Sequence, residues 1–376
     1  MIRSLGIDLS VGKIKLCLLT LSDQGEKFSG GWVSLPVPFE YINEREYVFE
    51  DGLKKAINVF LEHNNTGVKE IDIVIFCTGG AYYMFKSFND GLKYVVGILD
   101  KLFNNKEVYF IRSDSELIHI NKIKKLPFKQ ASAFTCTNFL GTSILASKII
   151  KDGLAIDMGT ISTSIIPIIN GVIDPQAKVD PENYVLHRYT TGKHLWYGVM
   201  LTPIIYISHT VETNKNRYIL SRRCCMTDSI CSILDLIDSQ TANKHVSDRS
   251  SFLPSKEMAY INLAESLGVD VDFIGKKELQ SVAKRIYNIF LDKFSNYIQD
   301  IIKYSNLPVK SKLKIMVGGL GERVFIKPAL KKLGFKDKQI ISIPEDGSNL
   351  WSATSVYGLA LYGLEKISKI KLPIIV

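Results

Sequence analysis

The sequence predicts an α/β fold organised as two similar lobes. Apolar strand segments alternate with amphipathic helices along the 376 residues, which is typical of α/β proteins. A strand–turn–strand pattern that contains an aspartate occurs twice, around Asp8 and around Asp157, and this repetition indicates an internal duplication. The length also exceeds what one hydrophobic core usually supports. We therefore place the first lobe at residues 1–135 and the second, with a helical insertion, at residues 136–349.

In the first lobe, strands are predicted where apolar runs end in small turn residues, and helices where apolar residues recur every three or four positions. In helix 51–62, for example, Leu53, Ile57 and Phe60 share one face. The predicted elements are strands at 5–9, 13–20, 71–76 and 107–111, and helices at 51–62 and 90–103. A closing helix within residues 350–376 could pack back on this lobe.

The second lobe begins like the first and then becomes more helical. Its predicted elements are a strand–turn–strand at 154–169, helices at 225–238, 255–266 and 280–304, a strand at 313–317, a helix that reaches residue 332, a strand at 339–343 and the closing helix at 350–364. The polar stretch 238–254 is predicted to be a mobile loop.

The composition excludes disordered, collagen-like and disulfide-framework proteins. The chain has 46% hydrophobic residues, 47 basic and 38 acidic side chains and a net charge of +9, as expected for a folded protein that contacts anions. The basic residues are dispersed rather than arranged in a stripe, so we expect no nucleic-acid partner. No apolar stretch is long enough to span a bilayer and no secretory signal is visible. Six cysteines without ligand spacing suit a reducing cytoplasm and give no indication of a zinc site.

Three turns of small residues follow predicted buried strands, and they are the candidate site. Backbone amides in such turns can approach phosphate oxygens, and a carboxylate at a strand end can hold Mg²⁺. We expect a phosphorylated small molecule, either ATP or a diphosphate substrate, with Mg²⁺ in a cleft between the lobes. The candidates are Asp8 and Asp157 as catalytic and metal-binding residues; Ser10, Gly12, Lys13, Gly159, Thr160, Ser162 and Thr163 as phosphate-binding residues; and Gly318, Gly319, Gly321 and Glu322 as nucleotide-binding residues.

Three further residues are candidates for substrate contacts. Arg188 and Lys193 could clamp a diphosphate or carboxylate, and Trp196 could stack on an aromatic ring. The alternatives are a basic surface loop for the two cations and a core position for the tryptophan. The motifs of serine hydrolases, P-loop NTPases and zincins are absent from the sequence.

Several segments together resemble a known group of proteins. They are 6–8, 85–91, 138–146, 157–171, 197–203 and 318–322. The pattern is similar to the actin, Hsp70 and sugar-kinase superfamily. More narrowly, it resembles the hydantoinase/oxoprolinase-related proteins linked to tetrahydromethanopterin C1 metabolism, a group that includes the condensing enzyme of methanofuran synthesis in methanogens.

The resemblance implies a two-lobed actin-like ATPase fold, built from duplicated ribonuclease H-like lobes with an interlobe cleft. It also implies a transferase that joins a phenol to a furan-methyl diphosphate and releases diphosphate. An ATP-dependent small-molecule kinase, or a catalytically reduced nucleotide-binding paralogue, is the alternative.

This chain departs from the family pattern at several positions. Leu9-Ser10-Val11 stands where relatives usually have Ile-Gly-Gly, and the β-branched Val11 disfavours the positive φ of a phosphate-binding turn. Gly80 and Ser164 stand where relatives carry a carboxylate, and Leu201 replaces the usual arginine. Fewer carboxylates weaken metal binding, so the reduced paralogue stays open. The acceptor substrate and the oligomeric state are not indicated by the sequence.

Overall fold

The computed structural model describes residues 1–10, 13–22, 28–37, 40–43, 46–104, 106–220, 225–237, 253–342 and 353–374. Contacts divide the chain into two compact units. The first comprises Met1–Ala155, Ile166–Thr190 and Ser342–Val376, and the second comprises Ile156–Ile165 and Thr191–Ile341. The lobe boundaries given above stay a prediction.

The strands form two main sheets. They are β1 Ile2–Ser10, β2 Lys13–Leu21, β3 Phe28–Pro36, β4 Glu40–Asn43, β5 Glu46–Val48, β6 Ile73–Thr78, β7 Glu107–Ile111, β8 Leu117–His119, β9 Gly153–Met158, β10 Thr163–Ile169, β11 Val172–Ile173, β12 His194–Leu195, β13 Thr210–Glu212, β14 Arg217–Ile219, β15 Lys314–Gly318 and β16 Ile340–Ser342. The first sheet has the order β3-β2-β1-β6-β7-β8. The second has the order β11-β10-β9-β15-β16, with β12 paired to β10. In each sheet an aspartate-bearing hairpin is followed by a strand from later in the chain.

The helices are α1 Glu50–His63, α2 Phe88–Leu102, α3 Ile120–Ile123, α4 Phe139–Ile149, α5 Pro175–Val179, α6 Tyr184–Thr190, α7 Ile204–Ile207, α8 Thr227–Ile233, α9 Lys256–Ser266, α10 Val271–Ile274, α11 Lys276–Tyr304, α12 Lys327–Lys332 and α13 Thr354–Ser368. The stripe predicted for α1 is confirmed, because Leu53, Ile57 and Phe60 are all buried. No helix within the described residues has the length and apolarity that crossing a membrane requires.

Two predicted helices need correction. Helix 225–238 is shorter, since α8 ends before Asp235, whose φ of 52° lies in the left-handed region. The helix after the glycine turn begins with a π-helical turn, Glu322–Ile326, in which the N–H of Ile326 bonds to the carbonyl of Gly321. Pro328, at the start of α12, has no N–H to place in that register. Residues 238–252 of the predicted mobile loop lie outside the described residues.

The centre of the first unit is the packing of α13 against β1 and α4. A Cβ atom at Gly6 of β1 would lie 2.4 Å from the carbonyl oxygen of Val356. Where α4 crosses α13, a Cβ at Gly141 would lie 1.7 Å from the carbonyl oxygen of Ser355. Backbones therefore touch at these two places. This contact sets the last helix over the strand that carries Asp8.

Candidate functional site

Asp8 is a fully buried carboxylate of the first unit. Its Cα partners in the sheet are Lys15 on β2 and Cys77 on β6. The Ser355 hydroxyl donates to Oδ2 at 3.1 Å, and Lys15 Nζ lies 3.8 Å from the same oxygen. Burial first, and then the nearby Asp8 carboxylate, raise the pKa of the Cys77 thiol well above its usual value. The thiol therefore stays neutral and can donate to Asp8.

Ser10 connects Asp8 to the turn that follows β6. Its hydroxyl donates to Asp8 Oδ1 at 3.5 Å. A Cβ atom at Gly79 would lie 2.6 Å from Ser10 Oγ, so only glycine fits there without a shift. Lys13 begins β2 directly opposite Ser10, while Gly12 and Val11 lie outside the described residues. The structure thus places Ser10 beside Asp8 and adds Gly79, which the sequence analysis did not assign to the site.

The second aspartate-bearing turn lies in the second unit and is closed by its own backbone. The N–H of Gly159 donates to the carbonyl of Ser162 at 2.9 Å, and the Thr163 hydroxyl donates to the carbonyl of Tyr197. The carbonyl of Thr160 accepts from the N–H groups of residues 200 and 201, both at 3.0 Å. Segment 197–201 therefore supports the turn, and Asp157 at its start is half-buried rather than enclosed.

The third turn lies directly against Asp157. Gly319 has a φ of 83°, and a Cβ atom there would lie 2.4 Å from the carbonyl oxygen of Met158 and 2.6 Å from Asp157 Oδ1. The N–H of Gly321 donates to the Met158 carbonyl at 2.9 Å. The structure therefore brings two of the three predicted turns together. The Asp157 carboxylate faces a glycine backbone with no side chain in between.

Glu322, the last residue predicted for this turn, is buried and already engaged by a cation. Lys327 Nζ lies 2.7 Å from its Oε1. A role for Glu322 in holding a nucleoside stays a prediction, and any such ligand would share the carboxylate with Lys327.

The three predicted substrate residues occupy different environments. Arg188 lies on α6 of the first unit and is buried; its Nη1 donates to the carbonyl of Cys136 at 2.8 Å, and its guanidinium lies 3.9 Å from the centre of the Phe139 ring. A surface loop is therefore the wrong description of Arg188. Lys193 is buried beside β12 in the second unit, whereas Trp196 is 54% exposed. Their roles in binding substrate stay predictions.

Sequence reasoning missed Asp228. This buried acid is hydrogen-bonded to segment 197–201, which supports the second turn. Its N–H donates to the carbonyl of Met200, whose own N–H donates to Thr160. Burial raises the pKa of Asp228 from its ordinary 3.8 to about 6, although Ser229 donates to its Oδ1 through both N–H and hydroxyl. A carboxyl group with this pKa exchanges protons near neutral pH. The sequence around these positions, including Thr202-Pro203 and Thr227, contains no pattern that indicates a buried acid.

Asp228 should make stability depend on pH. Because folding raises the pKa of this acid, the folded state favours its protonated form. The free energy of unfolding therefore rises as pH falls from about 7 towards 4, by up to about 3 kcal/mol. We expect Asp228→Asn to stabilise the protein at pH 7.5 and to change little at pH 4.5. Urea unfolding at both pH values checks this, with the exposed Asp337→Asn as control. An equal effect of Asp228→Asn at both pH values would contradict it.

The residues of the second unit fit a Mg²⁺ ion of the kind that phosphate ligands carry. No group of three or more His, Cys, Asp or Glu side chains lies together in the described part of the chain. Mg²⁺ with a phosphate substrate needs only one or two carboxylates, since water and phosphate oxygens complete its octahedron. Asp157 is half-buried and lies directly against the Gly319 backbone. Asp8, in contrast, is fully enclosed by donors in this conformation.

The two sheets, each with its own aspartate-bearing hairpin, define an α/β fold of the actin-like ATPase class. The chain is similar over 95% of its length to a solved structure of nucleotide-free acetone carboxylase, with 70% of that chain covered, 9% identity and a TM-score of 0.53. It also matches component A of (R)-2-hydroxyglutaryl-CoA dehydratase from Acidaminococcus fermentans, over 98% of this chain and 100% of that one, with 13% identity and a TM-score of 0.45.

One curated protein is related in sequence. The (4-{4-[2-(gamma-L-glutamylamino)ethyl]phenoxymethyl}furan-2-yl)methanamine synthase of Methanococcus vannielii is 26% identical over 223 residues, which are 58% of this chain and 93% of the relative. No protein-family profile matches the chain.

Proposed function

We propose that this protein binds an organic diphosphate with Mg²⁺ and transfers its organic group to a phenol. The observation that carries the proposal is the Asp157 carboxylate beside the Gly319 backbone, next to a turn of hydroxyl-bearing residues. Backbone N–H groups and hydroxyls at such a turn can bind phosphate oxygens. The sequence relative supports the substrate class, because its name describes a phenoxymethylfuran, an ether of a phenol with a furan-methyl group.

The proposed reaction is a displacement at the furan-methyl carbon. The phenol oxygen forms the new C–O bond, the bond to the diphosphate oxygen breaks, and the phenol proton passes to the leaving diphosphate or to water. Bound Mg²⁺ would neutralise charge on the leaving diphosphate. Asp157 would hold the metal, and the hydroxyls of Thr160 and Ser162 would bind the phosphate oxygens as they gain charge. The N–H of Gly159, predicted for the same role, already donates to the carbonyl of Ser162. The roles proposed for Asp8 as a metal ligand and for Ser10 and Lys13 as phosphate-binding residues rest on the sequence pattern of the first turn.

An ATP-dependent kinase is the second candidate, because the same residues could bind the β- and γ-phosphates while the turn at Gly318 receives adenosine. A catalytically reduced paralogue is a further candidate, and it is favoured by Ser164, which stands where relatives carry a carboxylate. The Ser164 side chain is buried, and its backbone pairs with His194 on β12.

Calorimetric titration with Mg²⁺ plus inorganic diphosphate, and with Mg·ATP, tests the proposal. We expect the unaltered chain to bind diphosphate and Asp157→Asn to bind it about tenfold more weakly, because a charged metal ligand is lost. Asp337→Asn, an exposed change in the same unit, serves as control. Unchanged affinity in Asp157→Asn would overturn the site. Ether formation from a furan-methyl diphosphate and a phenol without ATP would separate transferase from kinase, and binding without either reaction would favour the reduced paralogue.

A further inference from the structure

Strand β12 extends the second aspartate-bearing hairpin by one strand, and its side chains have no role in the proposed function. It pairs antiparallel with β10, and His194 lies opposite Ser164. Within the hairpin, the N–H of Gly159 donates to the carbonyl of Ser162 at 2.9 Å, and counting back from this bond sets Asp157 opposite Ser164. Residues that lie opposite each other in neighbouring strands project from the same face of a sheet. Asp157, Ser164 and His194 therefore form a row across β9, β10 and β12.

Burial distinguishes the two faces of these strands. Side chains alternate between the faces of a sheet, and Met158, Thr163 and Leu195, which alternate with the row, are all buried. On the face of the row, Trp196 follows His194 by two positions, and the two rings lie 5.2 Å apart in an edge-to-face arrangement. The Trp196 side chain is exposed, so this face reaches solvent at its β12 end.

The same face has open space beside the row. Gly159 follows Asp157 by two positions and lies on this face. Apart from its chain neighbours, a Cβ atom at Gly159 would meet one atom of the described residues within 4 Å, the carbonyl oxygen of Ser162 at 3.8 Å. Gly159 therefore leaves room next to Asp157, on the face that also carries His194 and Trp196.

The two ends of the row differ in chemistry. The Asp157 end carries the carboxylate and the Ser162 hydroxyl that the proposed function assigns to Mg²⁺ and phosphate. The other end carries an imidazole, whose nitrogen can accept a hydrogen bond from a hydroxyl group, and an indole, which packs on aromatic rings. Because neighbouring strands are about 4.8 Å apart, the Cα atoms of Asp157 and His194 are separated by about 10 Å across Ser164. That separation suits a reacting carbon between a phosphate at one end and a hydroxyl group at the other.

We propose that His194 and Trp196 bind the aromatic acceptor, with its hydroxyl group donating to the His194 imidazole and its ring against the Trp196 indole. This inference rests on the proposed function, because it assigns the second substrate to the same face of the hairpin. The two side chains then determine specificity, since His194 selects a hydroxyl group and Trp196 selects an aromatic ring. A phenol satisfies both side chains, whereas an aryl ether or an aliphatic alcohol satisfies one.

The specificity is tested by ligand-observed NMR titration with 4-ethylphenol, 4-ethylanisole and 4-ethylcyclohexanol, with and without Mg·diphosphate. The unaltered chain should bind 4-ethylphenol about tenfold more tightly than 4-ethylanisole, which has no hydroxyl group to donate. It should also bind 4-ethylphenol about tenfold more tightly than 4-ethylcyclohexanol, which has no aromatic face. Equal affinity for the three compounds, or no binding of 4-ethylphenol under either condition, would overturn the inference.

Substitutions assign each preference to one side chain. His194→Phe should remove the preference for 4-ethylphenol over 4-ethylanisole, and His194→Gln, which keeps a hydrogen-bond acceptor, should retain part of it. Trp196→Ala should remove the preference for 4-ethylphenol over 4-ethylcyclohexanol. The controls His209→Phe and Phe273→Ala replace exposed side chains of the same unit and should change neither preference. If His194→Phe or Trp196→Ala keeps the preference of the unaltered chain, the inference fails.

Calorimetric titration with Mg·diphosphate separates this inference from the proposed function. Neither side chain lies at the Asp157 end, so His194→Phe and Trp196→Ala should keep the affinity for diphosphate, and thermal unfolding checks that each variant folds. Diphosphate binding without a preference for the phenol contradicts the inference alone. A preference for the phenol without diphosphate binding contradicts the proposed function alone. Loss of diphosphate affinity in a folded His194→Phe variant would mean that the imidazole supports the hairpin, and it would overturn the inference.

Discussion

Gly141→Ala is expected to lower the free energy of unfolding by about 4 kcal/mol, an exceptional cost for one methyl group. The added Cβ would lie 1.7 Å from the carbonyl oxygen of Ser355 and 2.5 Å from its carbonyl carbon. These are backbone atoms of α13, so no side-chain rotation relieves the clash. The reciprocal change, Gly358→Ala, meets the carbonyl oxygen of Gly141 at 2.1 Å and should be similarly destabilising. Urea unfolding monitored by circular dichroism measures both.

Gly97→Ala is the matched control for the substitutions at the crossing of α4 and α13. It also replaces glycine by alanine inside a helix, but its Cβ meets no atom within 4 Å. Alanine is favoured over glycine in a helix by about 1 kcal/mol, so this variant should be stabilised. If Gly141→Ala and Gly97→Ala change stability in the same direction, the two helices do not touch at their glycines.

The central strands of the first sheet could be predicted because they are buried on both sides, whereas the outer strands β3 and β8 were not predicted. Strands β1 and β6 are nearly continuous apolar runs, and all six residues of β6 are buried. Helix α1 was predictable for the complementary reason, since one face is apolar and the other is charged. In both cases local sequence and burial agree. The bounds of β1, β6 and α1 moved by at most three residues, and β1 and α1 extend into the polar residues that flank them.

The contacts of Asp8 could not be read from the sequence. Ser355, which donates to its carboxylate, follows it by 347 positions, and no periodic pattern connects residues so far apart. The burial of Arg188 could not be read from the sequence for a related reason. Its charge suggests solvent, but the guanidinium contacts the carbonyl of Cys136 and the ring of Phe139 inside the first unit. Such pairings depend on the tertiary fold and leave no mark in local composition.

In the second unit, the sequence pattern identified two parts of the candidate site but not that they are adjacent. Asp157 and the turn at 318–322 were recognised separately, each as a strand followed by small residues. Their adjacency follows from β15 pairing beside β9 in the sheet, which places the two strand ends together. The positive φ of Gly319 was not visible in a run of glycines, since any of them could have adopted it.

Gly319→Ala should therefore impair phosphate binding more than a methyl group added at any other position of the second unit. The substitution strains a backbone with φ of 83° and drives a Cβ to 2.6 Å from Asp157 Oδ1 and 2.4 Å from the Met158 carbonyl oxygen. The Asp157 carboxylate must move, or the turn must open. We expect affinity for Mg·diphosphate to fall about a hundredfold, which corresponds to about 2.7 kcal/mol, in calorimetric titration.

Gly275→Ala separates the effect of backbone strain from the effect of contact with Asp157. Gly275 has a φ of 82°, but a Cβ atom there meets nothing within 4 Å. Both variants should lose about 1 to 3 kcal/mol of stability because alanine disfavours a positive φ, and Gly275, with φ of 82° and ψ of 142°, has a conformation that essentially only glycine adopts. Gly319→Ala adds the contacts with Met158 and Asp157. Only Gly319→Ala should lose diphosphate binding. If Gly275→Ala weakens binding equally, general destabilisation explains the loss, and if Gly319→Ala binds normally, Asp157 and its neighbouring turn do not hold the phosphate.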